Sequence, residues 1–230
     1  HDKIKKTVLS LMTIALFSLG ALQAHAGSWG IGFKFENHFL DTGASDDIDN
    51  NGTVDTNKTF SDTIMIPAIF VERNLDAPFG NLAVGVSYIP FEAEIDKRSI
   101  SQSSVTTKAA GAASSGTNSA EGTISDHITF YVQPGFNVGT NLVYLNFGMS
   151  YADVEGKNNS ISSTNITETK DLEGTAIGIG IKREGSNGGF VKFDYTQTSY
   201  DQVSWVTSNS TKGMADLDDS VLSISLGKQF

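Results

Sequence analysis

The feature that most constrains the fold is an alternation of apolar side chains at every second position, which recurs in eight blocks after residue 27. Successive side chains of a β-strand point to opposite faces, so this period indicates strands with one apolar face. Each block has close to the roughly ten residues that a tilted strand needs to cross a bilayer. The blocks cover residues 29–40, 63–73, 82–89, 127–136, 143–151, 175–182, 190–200 and 221–230.

The connections between these blocks alternate in length. Short connections rich in Gly, Asn and Pro, as tight turns require, cover residues 75–81, 137–141 and 184–189. Long polar connections cover residues 41–60, 96–126, 153–172 and 201–217. This alternation predicts an all-β chain that forms an eight-stranded antiparallel up-and-down transmembrane β-barrel, with short turns at one end and long outer loops at the other.

One block does not show which of its faces is polar. Residues 63–73 are apolar on both faces, so the pattern does not assign their sidedness. Pro67 interrupts the block, and proline has no N–H to donate to a ladder. The sequence therefore predicts a bulge or a local break at this proline.

The polar faces of the other blocks predict the lining of the barrel. A soluble barrel would hold large apolar side chains inside, whereas here the second face carries mainly small residues and a few charged ones. An eight-stranded barrel has room inside only for side chains. The residues expected in the interior are Lys34, Glu36, Asn146, Lys182, Lys192 and Asp194.

Aromatic residues near the ends of the blocks predict two girdles at the membrane interfaces. The girdle on the short-turn side is expected to contain Trp29, Phe136, Phe190 and Phe230. The girdle on the long-loop side is expected to contain Phe39, Tyr151 and Tyr200.

The first 26 residues have the features of a secretory signal peptide. Residues 3–6 are basic, an apolar stretch follows, and residues 24–26 give the small-x-small pattern that a signal peptidase accepts. The apolar stretch is shorter than the roughly 20 residues of a spanning helix. We therefore expect a signal peptide over residues 1–26 and a barrel domain over residues 27–230.

Charge and cysteine content exclude several classes of function. The chain has a net charge of −10, and the part after residue 26 carries 13 basic against 25 acidic residues. Nucleic-acid binding needs basic patches that neutralise phosphates, so we expect no nucleic-acid partner. The absence of cysteine excludes disulfides, thiolate metal sites and thiol nucleophiles.

The signal peptide, the eight blocks and the final segment VLSISLGKQF resemble the small outer-membrane barrels of Gram-negative bacteria, the class of the OmpA transmembrane domain and OmpX. The resemblance implies a bacterial outer-membrane location, contact with membrane lipid and lipopolysaccharide, and a porin-like monomeric barrel. It also implies that the barrel-assembly machinery reads a terminal signal, although Lys228 departs from its usual apolar residue. That signal would consist of Leu222, Ile224, Leu226 and Phe230.

The first long connection contains a pattern similar to a calcium loop. Residues 47–55 place oxygen-bearing side chains at loop positions 1, 3, 5 and 9, a carbonyl at position 7 and Gly52 at the sharp turn. Position 12, which usually holds a bidentate carboxylate, is Lys58. The alternative interpretation is a solvated acidic loop without metal. No other cofactor is expected, and the calcium ligands would be Asp47, Asp49, Asn51, Thr53 and Asp55.

Three functions remain open for such a barrel. The first is an envelope-structural or surface-interaction role through the long extracellular loops. The second is a narrow porin-like channel for small solutes, which an eight-stranded lumen disfavours. The third is a lipid A-modifying enzyme using His38 or His127 near the outer rim, but no Ser-His-acid spacing supports a triad. We therefore expect no enzymatic activity and no catalytic residues.

Overall fold

The computed structural model describes residues 27–106, 113–159, 166–206 and 212–230, so the predicted signal peptide lies outside the described residues. This part of the chain contains ten β-strands and no helix long and apolar enough to cross a membrane. The strands are β1 (Ser28–Asp47), β2 (Thr56–Ala77), β3 (Gly80–Ile89), β4 (Ala93–Thr106), β5 (Ala113–Val138), β6 (Asn141–Asn159), β7 (Ile166–Glu184), β8 (Gly189–Tyr200), β9 (Val203–Val206) and β10 (Lys212–Gln229).

Eight of these strands form a closed ring in which every pairing is antiparallel. The order around the ring is β1-β2-β3-β5-β6-β7-β8-β10, and β10 pairs with β1 to close it. β4 pairs with β5, and β9 pairs with β10. The predicted eight-stranded up-and-down barrel is therefore confirmed, and β4 and β9 are two further strands that each pair with one strand of the ring.

Tight turns connect β2 to β3, β5 to β6 and β7 to β8 at one end of the barrel, called here the short-turn end. Gly139 and Gly188 have φ angles of +63° and +83° in the second and third turns. Residues with a Cβ rarely adopt this left-handed conformation, so glycine is the favourable residue at both positions. The opposite end of the barrel carries the long connections and is called the hairpin end.

The apolar faces of the strands point away from the barrel axis. Leu145, Ile177, Ile224 and Leu226 are each between 47% and 49% exposed on the outer surface. The alternate residues are buried, as the strictly alternating pattern of β8 shows. Large apolar side chains thus cover the exterior, which is the arrangement expected for a barrel whose outer wall contacts hydrocarbon.

Pro67 lies in an unbroken ladder, so the predicted bulge or break is wrong. It pairs with Phe35 of β1 in the same register as its neighbours. On the other side, the ladder between β2 and β3 begins only at Ile69, which pairs with Tyr88. Pro67 therefore occupies an edge position toward β3, where a missing N–H breaks no ladder hydrogen bond. The same pairing settles the sidedness of the block: Ile66 is buried inside and Met65 is exposed outside.

The long connections predicted as loops are largely paired strands. The ladder between β1 and β2 continues to the pair Asp46 and Thr56, and the ladder between β6 and β7 continues to Asn158 and Ile166. β4 and the first part of β5 form a further hairpin from the second long connection. Polar low-complexity sequence can form the β1–β2 and β6–β7 hairpins because each of them continues, without a shift, a register that the barrel already fixes. The ladder between β4 and β5 contains two register shifts.

Two residues assigned to the aromatic girdles face inward instead. Phe190 is 4% exposed, and its ring centroid lies 6.0 Å from that of Phe70 inside the barrel. Tyr200 is 6% exposed and also lies inside. Both residues lie at the predicted height along the barrel, but they are on the same face of β8 as Lys192. The alternation of side chains along the strand therefore decides that they point inward.

Candidate functional site

The lumen near the short-turn end is filled by a buried ionic network centred on Lys192 of β8. Its Nζ lies 2.9 Å from Glu72 Oε1 and donates a hydrogen bond of 2.5 Å to Gln133 Oε1. The side chains of Lys192 and Glu72 are 4% and 0% exposed. Tyr131 donates a hydrogen bond from its hydroxyl to the same carboxylate oxygen at 3.2 Å. We call these four residues the Lys192 network.

Aromatic rings and further polar side chains surround this network. Lys192 Nζ lies 5.0 Å from the ring centroid of Tyr144, within the range of a cation-π contact. The Tyr144 hydroxyl donates a hydrogen bond of 2.8 Å to Asp194 Oδ2. Asn146 accepts a hydrogen bond from Gln133 and donates one to Thr196. Side chains from strands on opposite sides therefore meet across the axis and fill the lumen at this height.

The two other predicted interior lysines also point into the lumen. Lys182 is 2% exposed, and its Nζ lies 4.4 Å from the ring centroid of Phe190 and 3.5 Å from Asn74 Oδ1. Lys34 Nζ lies 5.4 Å from the ring centroid of Tyr131. The structure thus places Asn146 and Asp194 next to the Lys192 network, through Gln133 and Tyr144 respectively. Lys182 and Lys34 lie at its edges.

A second polar group lies nearer the hairpin end and surrounds His38. Its Nδ1 lies 2.6 Å from Asp219 Oδ2 and its Nε2 lies 3.1 Å from Glu36 Oε1. All three residues are at most 9% exposed. A histidine with a carboxylate at each ring nitrogen satisfies both as the imidazolium, which donates twice. His127 contacts the Tyr200 hydroxyl at 2.7 Å nearby, and these five residues form the His38 group.

An apolar layer fills the lumen next to this group on the hairpin side. The periodicity of the sequence did not indicate it, because its residues lie at or beyond the ends of the apolar blocks. Their inward position follows from the barrel register, which continues past each block. The buried members of the layer are Leu40, Ile124, Ala152, Leu172, Tyr200 and Leu217.

The sequence also did not single out Glu72, Tyr131 and Tyr144 as site residues. Tyr131 and Tyr144 belong to strand faces that the alternation assigned to the interior, so their parity was a usable signal. Glu72 lies in the block that was apolar on both faces, and only the register of β2 against β1 and β3 places it inside. The contacts among these side chains depend on which strands face each other once the barrel closes.

The predicted calcium residues lie at the tip of the hairpin between β1 and β2, called here the acidic loop. Carboxylate oxygens of Asp47, Asp49 and Asp55 lie within 4.8 Å of one another. Asp47 accepts hydrogen bonds from the backbone N–H groups of Asn51 and Gly52 at 3.1 and 2.8 Å. Desolvation alone would raise the pKa of the Asp47 carboxyl group. The hydrogen bonds outweigh this effect and hold the pKa below its ordinary value.

The other two predicted ligands, Asn51 and Thr53, form hydrogen bonds within the loop. Asn51 Nδ2 donates to Asp49 Oδ2 at 2.8 Å. Thr53 donates its N–H to Asn51 Oδ1 at 2.8 Å, which closes the turn locally. Lys58, at the twelfth position, pairs with Ala44 in the ladder between β1 and β2. The loop therefore offers three carboxylates but no bidentate ligand at that position, and calcium binding stays a prediction.

The residues of the predicted assembly signal lie on the outer surface of β10 and at its end. Leu222, Ile224 and Leu226 are between 37% and 49% exposed, and Phe230 is 74% exposed. Trp29 and Phe230 exchange two backbone hydrogen bonds of 2.9 Å, so the last residue continues the seam that closes the barrel.

No family model and no curated protein sequence matches this chain. Among solved structures, the outer membrane protease OmpT from Escherichia coli is similar over 88% of this chain and 97% of its own, with a TM-score of 0.51 and 8% identity. Ail of Yersinia pestis matches 89% of this chain and 99% of its own, with a TM-score of 0.42 and 10% identity. The outer membrane protein AlkL matches 90% and 91%, with a TM-score of 0.45 and 13% identity.

The closed ring of eight strands, its apolar exterior and its polar lumen define the class of protein. In hydrocarbon every backbone polar group must be paired within the protein, and a closed barrel meets this requirement. The protein is an integral β-barrel of the bacterial outer membrane.

Proposed function

We propose that this protein is a closed, non-enzymatic outer-membrane barrel that acts at the cell surface through its paired hairpins, in envelope structure or surface interaction. The observation that supports this proposal is the height of the strands. The outward apolar face of β1 ends at Phe39, yet its ladders continue to Asp47. At about 3.3 Å per residue and allowing for strand tilt, the hairpins rise roughly 20 Å above the apolar belt.

Removing one hairpin while keeping the barrel tests the surface role. In the test variant, an Asn-Gly turn replaces residues 44–58, so that β1 and β2 still pair below it. Cells making this variant are expected to lose attachment to surfaces or resistance to detergent, relative to cells making the wild type. A shift in gel mobility on heating serves as the control for a folded barrel. Unchanged attachment and unchanged resistance with a folded barrel would contradict the proposal.

The filled lumen argues against the alternative of a porin-like channel. The Lys192 network crosses the axis near the short-turn end, and the apolar layer crosses it near the hairpin end. A planar bilayer containing the purified protein is therefore expected to show no stable conductance steps. Reproducible open steps that scale with salt concentration would support the channel instead.

The arrangement of the two histidines argues against the alternative of a lipid A-modifying enzyme. Both ring nitrogens of His38 face carboxylates, so neither is available to activate a nucleophile. His127 Nε2 faces the Tyr200 hydroxyl, and a buried phenol is a poor nucleophile at neutral pH. Mass spectrometry of lipid A from cells making the wild type, His38→Ala or His127→Ala is expected to show identical species.

We further propose that the partners of the barrel are membrane lipid and lipopolysaccharide around the belt, and the assembly machinery at β10. The exposed apolar side chains of the belt support the first partner. The outward-facing apolar side chains of β10, Leu222, Ile224 and Leu226, support the second. Replacement of Phe230 by Ser is expected to reduce the folded fraction in cells while leaving refolding from urea into detergent unchanged. Equal folding in cells would contradict a role in assembly.

A further inference from the structure

The wall of the barrel has a gap in its hydrogen bonding near the outer membrane interface. β2 pairs with β3 only from Ile69 toward the short-turn end, although β2 itself continues to Thr56. Beyond Ile89, the chain leaves β2 and forms β4, which pairs with β5. In the described strands, no ladder therefore joins β2 to β4 along residues 56–68. The gap spans the height where the outward face of β2 changes from Met65 to polar residues.

A cavity of about 40 Å³ lies inside this gap and opens at its mouth. Ile64 and Ile66 line it from β2, and Ile89 and Phe91 line it from the other side of the gap. One water needs about 10–15 Å³, so this volume admits a small head group, and the rest of a longer molecule would lie in the mouth of the gap. At the lip, Met65 and Phe91 are 76% and 54% exposed, so an apolar molecule in the membrane would meet apolar side chains on entry.

The inner wall of this cavity carries one buried acceptor that the protein leaves unpaired. Asp219 lines the cavity and is 2% exposed. Its Oδ2 accepts from His38 Nδ1, but its Oδ1 has no hydrogen-bond partner among the described residues. A buried carboxylate oxygen without a donor is unfavourable, so an occupant that donates a hydrogen bond would be favoured at this position.

The charges of the His38 group indicate which donor fits. When ionised, Glu36 and Asp219 carry two negative charges, and the imidazolium of His38 between them carries one positive charge. The group therefore has a net negative charge, which attracts a cationic donor such as a primary ammonium. An alcohol carries no charge and is neither attracted nor repelled, whereas a carboxylate is repelled. The rest of the cavity lining is mostly aliphatic and aromatic, which suits a hydrocarbon chain.

We propose that this cavity is a binding site for an amphiphile with a hydrocarbon chain and a hydrogen-bond-donating head, preferably an amine, which enters from the membrane through the gap between β2 and β4. The head donates to Asp219 Oδ1, and the chain passes Ile64, Ile66 and Ile89 and extends through the gap toward the membrane. This inference does not depend on the surface role proposed above.

Native mass spectrometry of the refolded barrel released from detergent tests the site, with dodecylamine, dodecanol and dodecanoate as probes. The wild type is expected to bind dodecylamine most strongly, dodecanol less and dodecanoate least. In Asp219→Asn, the amide oxygen can still accept from His38 while the NH₂ group faces the cavity. This variant is expected to lose dodecylamine affinity by about tenfold or more, as the loss of a charge-assisted hydrogen bond implies.

The matched control is Asp218→Asn, which makes the same change at the exposed neighbouring position on the outer face of β10. It is expected to leave all three affinities unchanged. The order of the three affinities is measured on the wild type alone. This measurement can therefore contradict the proposal even if Asp219→Asn does not fold. Equal binding of dodecanoate and dodecylamine, or an unchanged amine preference in Asp219→Asn, would overturn it.

The mass of the adduct separates two sources of this chemistry. A free alkylamine adds its own mass, whereas a membrane lipid with an ethanolamine head adds the mass of a phospholipid. Either adduct, present in the wild type and in Asp218→Asn but lost in Asp219→Asn, supports the site. An adduct that persists in all three proteins would show binding to the exterior and would contradict it.

Discussion

Replacing Lys192 by Met should destabilise the barrel by removing the cation of its most buried ion pair. Lys192 Nζ lies 2.9 Å from Glu72 Oε1, and the Glu72 side chain is completely buried. After the substitution, that carboxylate remains in the lumen with a tyrosine hydroxyl as its remaining donor. Breaking a buried pair by removing one partner costs about 3–5 kcal/mol, so Lys192→Met should lower the free energy of unfolding by that amount.

The double variant Lys192→Met with Glu72→Gln tests whether the unpaired charge is the cause. It leaves no ionised group without a partner, so it should be more stable than Lys192→Met alone. The coupling energy of the cycle should exceed about 1 kcal/mol, because the two groups are in direct contact. Lys228→Met is the matched control, since this lysine is exposed on the outer face of β10.

Urea unfolding in lipid vesicles, followed by the fluorescence of the two tryptophans, Trp29 and Trp205, measures these free energies. The control Lys228→Met should change the stability by less than about 0.5 kcal/mol, as expected for an exposed position. A loss below about 1 kcal/mol for Lys192→Met, or additive effects in the double variant, would refute the reasoning. Such a result would mean that water reaches Glu72 and that the lumen is open at this height.

Three further predictions concern the packing of the lumen, the exterior and the acidic loop. A Cβ on Gly180 would collide with the ring of Tyr144, so Gly180→Ala should cost about 1–3 kcal/mol in the same unfolding assay, whereas Gly156→Ala meets nothing within 4 Å and should be neutral. Ile179→Arg should cost about 2–4 kcal/mol because the side chain faces hydrocarbon, whereas Val206→Arg, equally exposed but beyond the belt, should be neutral; equal costs would contradict the position of the membrane. Calorimetric titration should show calcium binding to the acidic loop at about 10⁻⁴–10⁻³ M, with magnesium as the control, and no heat of binding at these concentrations would remove the calcium prediction.

The alternation of the sequence predicts the barrel because a strand in a closed sheet has only two faces and the bilayer requires one of them to be apolar. It therefore places Lys34 inside and Ile177 outside without knowledge of the neighbouring strands. The same rule places Phe190 and Tyr200 inside, where the structure has them, whereas their height along the barrel predicts the girdles. Local parity was the more reliable signal, since a strand has no means of turning one residue out of its face.

The pairing across the lumen could not be predicted in the same way. Glu72 and Lys192 are separated by 120 positions in the sequence and meet because β2 and β8 face each other in the closed ring. A local pattern predicts a bulge or a break at Pro67 because it does not show that the ladder to β3 ends before this residue. Some contacts depend on the closure of the barrel and on the relative lengths of neighbouring strands. Such contacts can be predicted only when the register of the whole sheet is known.

The division of the lumen into an ionic part and an apolar part has a consequence for how the barrel could work. The apolar layer excludes water from the hairpin side of the His38 group, and ion pairs are stronger where water is excluded. A molecule from outside would have to cross that layer to reach Asp219 along the axis, whereas the gap beside Ile89 reaches the same cavity from the membrane. Ligand binding therefore does not require an open lumen. For this reason a barrel that shows no conductance in a planar bilayer can still bind an amphiphile. The conductance measurement and the measurement of amphiphile binding therefore test independent proposals.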